Sequence, residues 1–117
     1  TEGVHFSHCF STTPVCSPYR AMLLSGMHPL HCGPFFNDVT MIPGKGVYFG
    51  EALRNAGYHN GYFGKWHLLG GNRVRPVPRG ELRFGFDGPF LTNNCTTIFD
   101  AARAYYWNEQ GERTLYG

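Results

Sequence analysis

Glycine and proline punctuate this sequence so densely that long regular elements have little room: sixteen glycines and eight prolines are spread through 117 residues. Glycine in an element interior loses conformational entropy on folding, and proline removes a backbone donor. Two windows read as helices. In residues 17–26, Ser17 is placed as the N-cap, Pro18 at the first helical position and Gly26 as the stop. In residues 47–57, VYFGEALRNAG, the spacing puts Val47, Ala52, Leu53 and Ala56 on one face, with Gly57 ending the helix. The near-alternation of GVHFSHCF, residues 3–10, predicts a strand. Residues 58–68 predict a strand running into a loop, and residues 102–117 a strand, a glycine-containing turn and a return strand. Residues 28–46 form a long predicted loop, and residues 69–90 look too broken for a core element.

Between these breaks the chain is 42% apolar and 16% aromatic, the make-up of one globular domain with a modest core. The formal charge of +2 comes from ten basic and eight acidic residues without long runs, which gives no case for a nucleic-acid surface. No stretch approaches the ~18 consecutive apolar residues of a membrane span, and the first ten residues lack the pattern of a signal peptide. Cys9, Cys16, Cys32 and Cys95 contain no CxxC pair, so the redox compartment stays open.

Two short stretches could carry chemistry. Cys16 stands at the mouth of the first predicted helix, where unpaired N–H groups favour an anion, and Arg20 lies one turn along the same face. A nucleophile beside a fixed cation suits attack on an anionic ester. In GYFGKWH, residues 61–67, Lys65 and His67 are two apart, so a strand would project both to one face and turn Trp66 into packing. A cation beside an imidazole makes an oxyanion grip with a proton donor.

Together, CSPYRAMLLSG at 16–26 and GYHNGYFGKWHL at 57–68 resemble the paired signatures of the type I sulfatases of the alkaline phosphatase superfamily. Supporting matches are EGVHFSHCFSTTPVCSP upstream, GEALRNAGY, the basic and proline-rich stretch before GFD at 85–87, and YYWNEQGE at 105–112. The resemblance implies that residues 1–117 are part of a catalytic domain, an α/β sandwich whose central sheet is incomplete here and flanked by helices. It implies a sulfuric ester hydrolase, with Cys16 converted to formylglycine (3-oxoalanine) by a modifying enzyme that reads Pro18 and Arg20. One hydroxyl of the hydrated aldehyde then attacks the sulfate monoester of a small molecule or glycan and expels the alcohol. The other collapses back to the aldehyde and releases sulfate from the sulfated enzyme. Arg20 would steady the hydrate, while Lys65 and His67 hold sulfate oxygens and assist the leaving group. Tyr19 stands where the family more often has Ser or Ala.

The resemblance also implies a divalent cation, usually calcium. Its aspartate pair would precede the motif cysteine and its other ligands would lie far downstream. The chain begins too late for the first set and ends too early for the second, Asp38 and Asp87 do not occupy those places, and only residue 16, as formylglycine, would contribute a ligand. The expectation is a fragment that is inactive without the remainder of its chain, from a periplasmic, secreted or lysosomal enzyme. In NNCTTIF, residues 93–99, Thr97 takes the place of a histidine found in some branches.

Three other functions compete. Phosphonate monoester and phosphodiester hydrolases share Cys-x-Pro-x-Arg and formylglycine. A non-catalytic relative would bind sulfated glycans through Arg73, Arg75, Arg79 and Arg83. A zinc module is suggested by His5-x-x-His8-Cys9 and His28-x-x-His31-Cys32, although His5 and His8 would face opposite ways on a strand.

Overall fold

The structure, a computed structural model, describes residues 2–95, 100 and 102–115. Helix α1, Cys16–Ser25, starts one residue before its predicted position, after Val15 in an extended conformation. Ser17 is therefore inside the first turn and does not cap it; its buried hydroxyl donates to the His67 carbonyl oxygen at 2.7 Å. Pro18 falls at the third helical position, where its missing N–H is one the helix could not satisfy internally anyway. Gly26 ends the helix in the left-handed region, at φ 65°, with its N–H on the Met22 carbonyl. Ser17, Pro18, Ala21 and Leu24 form the buried face.

A four-residue helix, α2 (Pro29–Cys32), interrupts the predicted loop. Helix α3, Phe49–Asn55, is shorter than its window and faces the other way. Val47, Ala52, Leu53 and Ala56 are exposed, while Tyr48 and Gly50 are buried. The cause lies in two glycines that periodicity cannot register. A Cβ on Gly50 would strike the Phe84 carbonyl oxygen, and one on Gly85 would strike the Gly50 backbone, so α3 seats on residues 84–86 by backbone contact. Asn60 fastens the joint, its Nδ2 donating to the carbonyls of Gly50 at 2.7 Å and Gly85 at 2.9 Å.

Among the described residues four strands form one mixed sheet in chain order: β1 (Tyr62–Lys65), β2 (Phe90–Asn93), β3 (Tyr105–Trp107) and β4 (Arg113–Leu115). β1 and β2 are parallel, with Tyr62 opposite Phe90 and Lys65 opposite Asn93, and the other two pairings are antiparallel. The predicted terminal hairpin is thus present. Residues 3–10 are not a strand; they lie exposed, with Val4, Phe6 and Phe10 in solvent and no described strand beside them to complete a hydrogen-bond ladder.

The core gathers Ala21, Leu24, Cys32, Met41, Tyr48, Trp66, Leu68, Leu69, Val77, Phe84, Phe86 and Phe90. Trp66 lies at its centre, edge-on to Tyr62 at 4.8 Å and to Phe90 at 5.1 Å. Residues 69–90, predicted to stay out of the core, supply Leu69, Val77, Phe84, Phe86 and Phe90 around a single 3-10 turn at Glu81–Arg83. The architecture is α/β with a partial sheet, and among the described residues no helix is long and apolar enough to cross a membrane.

Candidate functional site

The C-terminal end of β1 meets the first turn of α1, and there the two predicted stretches come together. Lys65 closes β1 and extends its Nζ to within 3.4 Å of Cys16 Sγ. Cys16 is the first residue of α1, where backbone N–H groups lack intrahelical acceptors, so helix end and ammonium both favour negative charge at this point. A shallow depression of about 370 Å³ opens beside it, lined by Ser11, Pro14, Val15, Tyr19 and Arg20.

Arg20 is not on the cysteine. Its Nη1 donates to the Lys65 carbonyl at 2.6 Å and to the Tyr62 hydroxyl at 3.3 Å, and the same Tyr62 hydroxyl donates to the Lys65 carbonyl at 2.5 Å. Arg20 and Tyr62 thereby lock the backbone from which the lysine projects. Burial raises the Tyr62 phenol above its ordinary pKa, against the pull of Arg20, so it remains a hydroxyl donor.

His67 does not continue the strand. It takes a left-handed backbone conformation, φ 55°, that bulky side chains rarely adopt, and two contacts from other parts of the chain, together with its buried neighbour, hold it there. The Ser17 hydroxyl binds its carbonyl, its neighbour Trp66 is sunk in the core, and its Nε2 lies 3.0 Å from Asp38 Oδ1. The pair of Lys65 and His67 predicted on one face is therefore divided: Lys65 reaches Cys16, while the His67 side chain is 2% exposed and turned to Asp38. Burial pushes the imidazole below its usual pKa, and Asp38 partly opposes that shift.

Asp38 is the member that the sequence did not single out. Arg73 grips its carboxylate with two nitrogens, Nε at 2.8 Å from Oδ1 and Nη2 on Oδ2. That bond, more than the His67 contact, lowers the Asp38 pKa from 3.8 to about 2. Next to it, Asn37 Oδ1 accepts the Ser17 N–H at 2.9 Å, so the Asn37-Asp38 pair ties the loop after α2 to both α1 and His67. Ser17, Asn37, Asp38 and Tyr62 were missed as site residues, and Arg73 was expected on a glycan rather than on Asp38. Nothing in their spacing marks them, because they come together from α1, the loop after α2, β1 and the loop after β1. A carboxylate between two glycine- and proline-rich stretches, with arginines downstream, was the faint signal available.

These residues do not form a calcium site on their own. Among the described residues no three of His, Cys, Asp and Glu converge as a metal group. The Asp38 oxygens are already taken by His67 and Arg73, and Asp87 Oδ1 accepts the Asn60 N–H at 3.3 Å. The zinc pattern also disperses: His5, His8 and Cys9 are exposed, Cys32 is buried, and His28 Nδ1 accepts the Leu30 N–H at 3.4 Å. Nor do the four arginines make one glycan-facing patch. Arg73 holds Asp38, Arg75 donates to the Leu69 carbonyl, and Arg79 faces Glu109 at 3.8 Å. Arg83 is buried over the Phe90 ring, with its guanidinium on the Val77 and Pro78 carbonyls. Thr97 lies outside the described residues.

The sequence model of the family named Sulfatase matches residues 1–116. The chain is 43% identical over 116 residues to an ulvan-active sulfatase of Formosa agariphila, covering 99% of this chain and 22% of that protein. It is 36% identical over 106 residues to the human N-acetylgalactosamine-6-sulfatase, covering 80% of this chain and 19% of the relative. A solved Bacteroides fragilis structure described as a sulfatase superposes with a TM-score of 0.76 at 28% identity, over 96% of this chain and 28% of that one. The chain thus spans about a fifth of the length of the curated relatives it matches.

Proposed function

The chain belongs to the sulfatase family, and from that premise we propose that it contributes the nucleophile side of a site that hydrolyses sulfate esters. The observation that carries this reading is the contact of Lys65 Nζ with Cys16 Sγ at the first turn of α1. Residue 16 would act as formylglycine, whose hydrated aldehyde supplies one hydroxyl to bond to sulfur and a second whose collapse frees sulfate. Lys65 binds a sulfate oxygen and stabilises charge as the ester bond breaks. Arg20, through the Lys65 carbonyl and Tyr62, holds that lysine in register with residue 16 and offers the rest of its guanidinium to the depression. His67 serves proton transfer from the buried side.

The relatives named for ulvan and for N-acetylgalactosamine-6-sulfate support a carbohydrate sulfate as the substrate class. Calcium enters this proposal only with ligands beyond the residues described, and no step above depends on it. The activity is that of the longer protein to which a stretch of this coverage corresponds, in an exported or lysosomal setting, with a modifying enzyme as partner.

The test is a mass spectrum of the peptide containing Cys16 from the full-length protein, alongside release of inorganic sulfate from a chromogenic aryl sulfate and a sulfated glycan. Conversion of Cys16 together with turnover, both lost in Cys16→Ala, is the expected result. Turnover by a protein whose Cys16 is unmodified sinks the formylglycine mechanism. Turnover of phosphonate or phosphate diesters in preference to sulfate esters reassigns the substrate.

A further inference from the structure

His67 has two ring nitrogens in unlike circumstances. Nε2 lies 3.0 Å from an Asp38 oxygen that Arg73 also holds. An ionised carboxylate only accepts, so the contact requires Nε2 to carry the proton. Nδ1 is buried and has no partner among the described residues. Among them Trp66 Nε1 and Ser11 Oγ are likewise buried without a partner, but Nδ1 alone of these belongs to a titratable group, and an orphaned titratable nitrogen calls for a ligand, an ordered water or a chemical role. Its ring also sits on a strained left-handed residue pinned by Ser17 from α1, one position after the proposed nucleophile.

We infer that Asp38 is the positioning residue of this site: it accepts the hydrogen bond of the His67 Nε2–H, fixes that tautomer and ring orientation, and reserves Nδ1 for proton exchange with the reaction. Arg73 clamps Asp38 in the geometry this requires. The inference takes from the proposed function only that His67 serves the chemistry at residue 16. The charged groups around His67 are Asp38 on the loop after α2, Arg73 on the loop after β1, and Lys65 two residues before it, with Cys16 beyond the lysine. α1 adds the Ser17 hydroxyl on the His67 carbonyl.

Those neighbours make two substitutions act in opposite directions. Asp38→Asn removes the negative charge that supports an imidazolium, so the protonation midpoint of His67 falls. Arg73→Gln removes a positive charge that disfavours it, so the midpoint rises. General damage to the site would move both the same way.

The experiment is a ¹⁵N-histidine NMR titration of the full-length wild type, Asp38→Asn and Arg73→Gln, with the His67 signal identified by its loss in His67→Gln. The pH dependence of kcat is measured on the same proteins. Neutral wild-type His67 should be protonated on Nε2. Asp38→Asn should mix or reverse the tautomer, lower the midpoint, and cut kcat by roughly a hundredfold or more with little change in KM. Arg73→Gln should keep the tautomer and raise the midpoint, and it decides the matter alone if Asp38→Asn does not fold. An Nδ1-protonated wild type, or midpoints that stay put or shift together, overturns the inference. A wild type without sulfatase turnover defeats the proposed function instead, and the tautomer and midpoints still decide the role of Asp38.

Discussion

The mouth around Cys16 and the floor around His67 are built from adjacent residues but on opposite principles. At the mouth, Cys16 is exposed and its contact with Lys65 bridges a helix start and a strand end. At the floor, Trp66 and His67 are buried, and His67 is held by a hydroxyl, a carboxylate and a strained backbone. A long flexible side chain at the mouth keeps its head free to meet an anion. The floor has no such freedom, and it fixes the backbone from which the mouth projects. Substitutions at Trp66 and Ser17 should therefore be read as lost stability and those at Lys65 as lost activity, with Asp38 and His67, where the floor meets the chemistry, costing both; each experiment below strains that division.

The largest effect belongs to Trp66. Its ring touches Tyr62, Phe84, Phe86 and Phe90, so Trp66→Ala should destabilise the full-length protein by about 3–5 kcal/mol in urea unfolding. A loss below about 1 kcal/mol would mean that the floor is not the anchor. Ser17→Ala comes next. It leaves the buried His67 carbonyl without its hydroxyl partner and should cost about 1–3 kcal/mol while preserving Cys16 and Lys65. Wild-type stability in that variant would place the strain at His67 on other contacts.

How these two regions divide also explains what the sequence disclosed. Cys16, Arg20, Lys65 and His67 were legible because they fall in two contiguous stretches whose local spacing is informative, and so were α1, β1 and the final hairpin. The floor was not, because Asp38 meets His67 across 29 positions and Arg73 across 35, and no local period records such a meeting. Helix α3 was legible as a helix, but its face was misassigned for a related reason. Hydrophobic spacing assigned its face to Val47, Ala52, Leu53 and Ala56, but its seat is made by the absence of side chains at Gly50 and Gly85. The strand expected at 3–10 has suitable alternation and no described neighbour, and a strand is a property of a pair.

A smaller, pH-dependent effect probes the edge of the floor. The folded Asp38 pKa is depressed from 3.8 to about 2, so its pairing stabilises the fold fully above about pH 4 and loses that contribution as pH falls through about 2. The carboxylate is a third exposed, so solvent screening keeps the effect modest. Unfolding curves of wild type and Asp38→Asn should differ at pH 6 and converge between pH 4 and pH 2. A constant difference across that range would assign the cost of the substitution to packing rather than to charge.

The smallest stability effect is expected at Lys65, and it is the sharpest trial of the division. Lys65→Met keeps most of the apolar stem and removes only the ammonium at 3.4 Å from Cys16 Sγ, while the Lys65 carbonyl stays locked by Arg20 and Tyr62. Stability should therefore change by less than about 0.5 kcal/mol. Sulfate-ester turnover should fall by roughly a hundredfold or more, as when one preorganised electrostatic partner of a reacting anion is lost. If Lys65→Met instead unfolds more easily by over about 1 kcal/mol, the lysine helps support the fold, and mouth and floor are one structure. If stability and turnover both remain, the contact with Cys16 is an ordinary surface neighbour, and the observation that carries the sulfatase site is removed.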